Sequence, residues 1–100
     1  MTPTLDDHRL RYLTEAVRLG SVRATAEYMG VNPSVVSRQI AQLEREVGVA
    51  LIERLARGIR PTEAGLLLAD RFRRWAVERD DTLAKLRELR GLQRGHVSLI

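Results

Sequence analysis

The chain has 100 residues, 44% of them hydrophobic and 4% aromatic, which allows one modest domain, or one domain and an appendage, and argues against disorder throughout. It has no cysteine, so disulfide and thiolate chemistry are excluded, and it shows no apolar leader or 18-residue apolar run, so a soluble intracellular protein is expected. Basic residues outnumber acidic ones 17 to 13, all but one of the basic residues are arginine, and the pI of about 10.6 suits an anionic partner.

Residues 1–5 read as a loose lead-in. Asp6 or Asp7 can cap a first helix ending near Leu19, with Leu10, Leu13 and Val17 on its apolar face and Tyr12, Ala16 and Leu19 alongside. Gly20 then stops the helix, because glycine accepts the left-handed conformation a helix end requires. Ser21 caps a short second helix over residues 22–29, which buries Val22, Ala26 and Met29, and Gly30 ends it. Only Val31 and Asn32 separate it from the next helix, so the two must cross steeply, with Ala26 near the crossing permitting close approach; this is helix-turn-helix grammar.

The central stretch, residues 31–47, places Val36, Ile40, Leu43 and Val47 at i, i+4, i+7 and i+11, one face of a helix. Asn32 is the expected cap and Pro33 the first helical residue, where a missing N–H costs nothing. The opposite face opens with Ser34, Val35, Ser37 and Arg38, and no acid stands between Tyr28 and Leu43. Short, polar and basic side chains at a helix start suit the DNA major groove: acids would repel phosphate and long side chains would hold the helix off the base edges.

Gly48 closes that helix. Residues 49–54 read as a strand, 55–58 as a tip and 59–61 as a return strand, giving a small hairpin with Arg54, Arg57 and Arg60 on it and Glu53 near its start. Thr62 caps a final helix whose first turn holds Glu63, favourably placed on the helix dipole. From 63 to 92 there is no proline, and only Gly65 and Gly91 could interrupt a helix of roughly 30 residues and about 45 Å. Its apolar positions include Leu68, Phe72, Trp75, Leu83, Leu86 and Leu89, with Arg79 and Thr82 filling intervening seam positions. The far half lacks an intramolecular partner, so a second chain is expected to cover it. Residues 96–100 alternate like a strand with nothing to pair with, which suggests that the natural protein continues.

In order and spacing, Leu10-Arg11-Tyr12-Leu13, Gly20-Ser21, Ala26-Glu27, Val36-Ser37-Arg38-Gln39-Ile40, Leu43-Glu44, Gly48-Val49, Leu51, Glu53-Arg54 and Thr62-Glu63-Ala64-Gly65 resemble the DNA-binding domain of LysR-type transcriptional regulators. Arg94-Gly95-His96-Val97 looks like the approach to that family's effector-binding domain. The resemblance covers nearly the whole chain. It implies a mostly α fold: a winged helix-turn-helix over 1–61, a linker and dimerisation helix over 62–92, and the start of a truncated effector-binding domain over 93–100. It also implies cytoplasmic, nucleoid-associated DNA binding as a dimer built by antiparallel linker helices, and a small-molecule effector held by a domain beyond this chain. The residues it points to are Asn32, Pro33, Ser34, Val35, Ser37, Arg38, Arg57 and Arg60 for DNA, and Leu68, Phe72, Trp75, Leu83, Leu86 and Leu89 for dimerisation. Three departures matter. Many members carry Gln-Pro where Pro33-Ser34 stand, and that Gln often reads bases, so direct readout must differ. Val22 replaces an aromatic and Thr25 a small core alanine, both as packing changes.

A solvated helix face is the plain alternative for the start of the central helix, and a mobile surface arginine for Arg57. Trp75 and Phe72 fit packing better than a ligand site. His8 and His96 lie at opposite ends without cysteine or an acid at ligand spacing, so no metal or cofactor is expected. Ser37 lacks a His/Asp partner, Gly-rich phosphate loops are absent, and no catalytic constellation supports an enzyme. The rival function is a helical partner-binding module using the long helix, against which the acid-free helix start and the basic hairpin both speak.

Overall fold

The computed structural model describes residues 6–95, with side chains as far as Leu92. Four helices and one hairpin follow in the order α1 (Asp7–Leu19), α2 (Val22–Met29), α3 (Pro33–Val47), β1 (Ile52–Arg54), β2 (Ile59–Pro61) and α4 (Glu63–Gly95).

Capping residues set these boundaries. Asp6 accepts from the His8 amide, Ser21 from that of Ala24, Asn32 from that of Ser34 and Thr62 from that of Gly65, each meeting a first-turn donor that has no partner within its helix. Gly20, Gly30 and Gly48 close α1, α2 and α3 in the left-handed region.

The core lies where α1, α2 and α3 meet beneath the hairpin. Leu10, Leu13, Ala16, Ala26, Val36, Ile40, Leu43 and Leu51 are at most 1% exposed, with Tyr12 and Ile59 closing the cluster. Val22 and Met29, expected inside, are only half-buried against it. Thr25 is fully buried instead, and its hydroxyl donates to the Ser21 carbonyl at 2.7 Å, which lets a polar side chain occupy a core site.

The hairpin is shorter than the sequence suggests. Its first strand begins at Ile52 rather than Val49, because the amide of Leu51 is taken at 2.8 Å by the Glu44 carboxylate and Val49 and Ala50 stay exposed. Its register pairs Ile52 with Pro61, Glu53 with Arg60 and Arg54 with Ile59.

Helix α4 runs through both Gly65 and Gly91 and continues to Gly95, beyond the expected end at Leu92. A single interior glycine costs only about 1 kcal/mol against alanine, which the Leu- and Arg-rich neighbours of Gly91 absorb. Ala64, Leu68 and Phe72 pack on the core, and Ala69 is buried. Leu68 and Phe72 thus serve the chain's own domain at the near end of the helix. Arg79, expected in a seam toward a second chain, reaches Asp7 of α1 at 2.8 Å. From 77 to 92 every residue is exposed, and the 33-residue helix, about 50 Å long at 1.5 Å per residue, gives the molecule its 64 Å long axis. The lead-in over 1–5 and the strand-like 96–100 lie outside the described residues.

Candidate nucleic-acid interface

Helix α3 is held from behind and left open in front. On the inner side Val36, Ile40 and Leu43 enter the core. Arg9 of α1 adds a polar clamp: its Nε donates to Gln39 at 3.3 Å and its guanidinium pairs with Glu46. Gln39 and Glu46 are two turns apart on one face of α3, so one side chain from α1 fixes that face at both points. The outer start of the helix bears Asn32, Pro33, Ser34 and Arg38, all exposed. Val35 and Ser37 are half-buried, Val35 against the core. The Asn32 Oδ1 accepts from both the amide and the hydroxyl of Ser34, each at 2.9 Å.

The hairpin is pinned beside this face. The amide of Ile59 donates to the Gly20 carbonyl at 3.0 Å, fastening the second strand to the α1–α2 turn. Gly58, at φ +80, makes this possible: a Cβ there would stand 2.4 Å from the Gly20 oxygen. The Leu55 amide meets the Gly58 carbonyl at 3.0 Å and closes the tip, which carries exposed Arg57. Arg54 reaches from the first strand to α3, donating to the Ser37 hydroxyl at 3.1 Å. Arg23, Arg54 and Arg57 line one open cleft between the start of α2 and the hairpin, with Ser21 at its edge. Arg60 faces Glu53 across the hairpin at 3.3 Å, both well exposed, so part of its charge is met within the chain.

Of the residues expected to contact DNA, Asn32, Pro33, Ser34 and Arg38 share one exposed edge of α3 and Arg57 is exposed at the hairpin tip, whereas Val35 leans on the core and Ser37 and Arg60 are bonded to Arg54 and Glu53. Among those expected to pair chains, Trp75, Leu83, Leu86 and Leu89 are 43–56% exposed. The bracing roles of Arg9 and Arg54 were not visible in the sequence, because each depends on a partner 17 or more positions away. Among the described residues no group of three or more His, Cys, Asp or Glu could hold a metal ion, and no helix is long and apolar enough to cross a membrane.

Residues 8–66, more than half of the chain, match the model of the bacterial regulatory helix-turn-helix proteins of the lysR family. The chain belongs to the LysR family. The matched segment runs from the start of α1 into the first turn of α4, taking in the whole helix-turn-helix and hairpin. An uncharacterized HTH-type transcriptional regulator of Sinorhizobium fredii, y4mQ, is 46% identical over 68 residues, covering 68% of this chain and 23% of its own length. The regulator LysG of Mycobacterium tuberculosis is 35% identical over 97 residues, covering 97% of this chain and 32% of its own length. The chain therefore spans about a quarter to a third of these curated relatives. Among solved structures, the CbnR DNA-binding domain in complex with DNA superposes with a TM-score of 0.78 at 28% identity, covering 85% of this chain and 98% of that one. The LysR fold is thus a winged helix-turn-helix with a long helix behind it, as the sequence predicts.

Proposed function

We propose that this chain is the DNA-binding part of a transcriptional regulator, cytoplasmic and nucleoid-associated, that reads an inverted-repeat operator as a homodimer. Residues 1–61 act as the winged reading head and 62–92 as the linker and dimerisation helix. The carrying observation is the exposed, acid-free start of α3 together with an exposed Arg57 on the hairpin tip, Arg54 bridging hairpin and helix. Arginines on the cleft hold phosphates and set register, and the start of α3 meets base edges. The exposed Trp75, Leu83, Leu86 and Leu89 supply the face for a second copy. The relatives are regulators by name, and no catalytic role is assigned to any residue.

A mobility-shift titration against competitor DNA at two salt concentrations tests the reading. Steep salt dependence with preference for a selected sequence supports it. A chain that leaves every duplex unshifted, yet pulls down a partner through α4, supports the partner-binding module instead.

A further inference from the structure

The geometry at the start of α3 says which hydrogen bonds its exposed side chains have left to make. A side-chain amide has two acceptor sites on oxygen and two donors on nitrogen. A backbone N–H can only donate, so the Asn32 atom facing the Ser34 amide at 2.9 Å must be Oδ1, which fixes the orientation of the amide. The Ser34 hydroxyl donates to the same oxygen, also at 2.9 Å. Both lone pairs of Oδ1 are therefore engaged, and the side chain's remaining bonding capacity is the two hydrogens on Nδ2. Among the described residues nothing accepts from them, and Asn32 is exposed at the end of the helix that meets the groove.

We infer that Asn32 reads guanine, as a donor-only contact that Ser34 enforces. This rests on the DNA-binding reading above. An asparagine that reads adenine does so bidentately, receiving from N6 on its oxygen while giving to N7. Here the oxygen is committed, so that mode is closed. Guanine offers two adjacent acceptors, N7 and O6, to a group that can only donate; thymine offers one acceptor, O4, beside its methyl, cytosine offers an N4 donor, and adenine sets a donor beside its single acceptor, so guanine alone can take both Nδ2 hydrogens. No acid stands between Tyr28 and Leu43 to compete for the Nδ2 hydrogens on this edge. Ser34 is a positioning residue: it acts through the oxygen it occupies.

Selection from a randomised duplex pool with the purified chain, followed by sequencing, tests this with four proteins. The wild type should favour guanine at one position of each half-site by about tenfold. Asn32→Ser keeps a capping oxygen but has no amide, and should flatten that position alone. Asn32→Asp keeps the cap and presents only oxygens, and should move the preference to cytosine at the same position. Ser34→Ala frees one lone pair of Oδ1 and should admit adenine there. Circular dichroism melts confirm that each variant is folded. An unchanged pattern in Asn32→Ser, an equal loss on every sequence (a backbone contact), or an adenine preference in the wild type each overturns the inference while leaving DNA binding in place. Failure of the wild type to bind any duplex overturns the DNA-binding reading itself.

Discussion

Replacing Gly65 by alanine should destabilise the domain, although glycine-to-alanine changes inside helices ordinarily stabilise. The ordinary gain is about 1 kcal/mol. At Gly65, however, an added Cβ would lie 1.9 Å from the Leu51 carbonyl oxygen, which is backbone and cannot swing away. The helix start would have to move off by more than 1 Å, or the loop before β1 would have to yield. Such overpacking costs about 1–3 kcal/mol. That carbonyl also accepts from the Thr62 amide at 3.0 Å, a bond worth about 1 kcal/mol that the movement strains. The balance is a loss of about 1–3 kcal/mol, or a fall in Tm on the order of 10 °C for a domain of this size. Gly91 is the internal control: it lies in the same helix with nothing within 4 Å of its would-be Cβ. Gly91→Ala should leave the Tm of the winged domain unchanged and raise helicity. Thermal melts followed at 222 nm compare the two. A Gly65→Ala protein as stable as the wild type would refute the packing of α4 on the Leu51 carbonyl.

Arg38→Ala should weaken binding to a selected sequence by about 1–3 kcal/mol and random DNA much less if Arg38 holds a base edge; equal losses on both would make it a phosphate contact, and fluorescence anisotropy separates the two. Arg57→Ala should lower the slope of log affinity against log salt by about one unit, one phosphate neutralisation; an unchanged slope and affinity would place Arg57 in solvent. Leu86→Asp combined with Leu89→Asp should abolish dimers in sedimentation and leave the melt of the winged domain intact, since both side chains are more than half exposed and beyond its core. A wild-type chain that is monomeric at high concentration would remove the second copy from the account.

Most of the fold was legible because its signals are local. Capping side chains sit two or three residues from the amides they meet, and glycines stop three helices, so α2 and α3 begin and end where the sequence places them. The first strand was misjudged for the opposite reason. What shortens it is the carboxylate of Glu44, seven residues back and on another element. The pairing of Arg79 with Asp7 is similarly invisible, since it joins residues 72 positions apart. Along α4 the sequence shows that the far half has no intramolecular partner, but Leu68 and Phe72 are grouped there with Leu86 and Leu89 as pairing residues, whereas the first two pack on their own domain and the last two are exposed. That division depends on where the core stops. At the candidate interface the residue types on α3 were readable. The doubly occupied oxygen of Asn32 was not, because it depends on the rotamers of two neighbouring side chains.

The most direct test of the central claim is to recover bound genomic fragments with the purified chain and compare its affinity for the recovered site with that for a scrambled duplex of equal length. An interrupted inverted repeat is predicted, with half-sites about one helical turn or a multiple apart, two copies bound per site, and affinity at least about a thousandfold above the scrambled duplex at physiological salt. Equal affinity for recovered and scrambled DNA, or one copy bound to an isolated half-site, would contradict it.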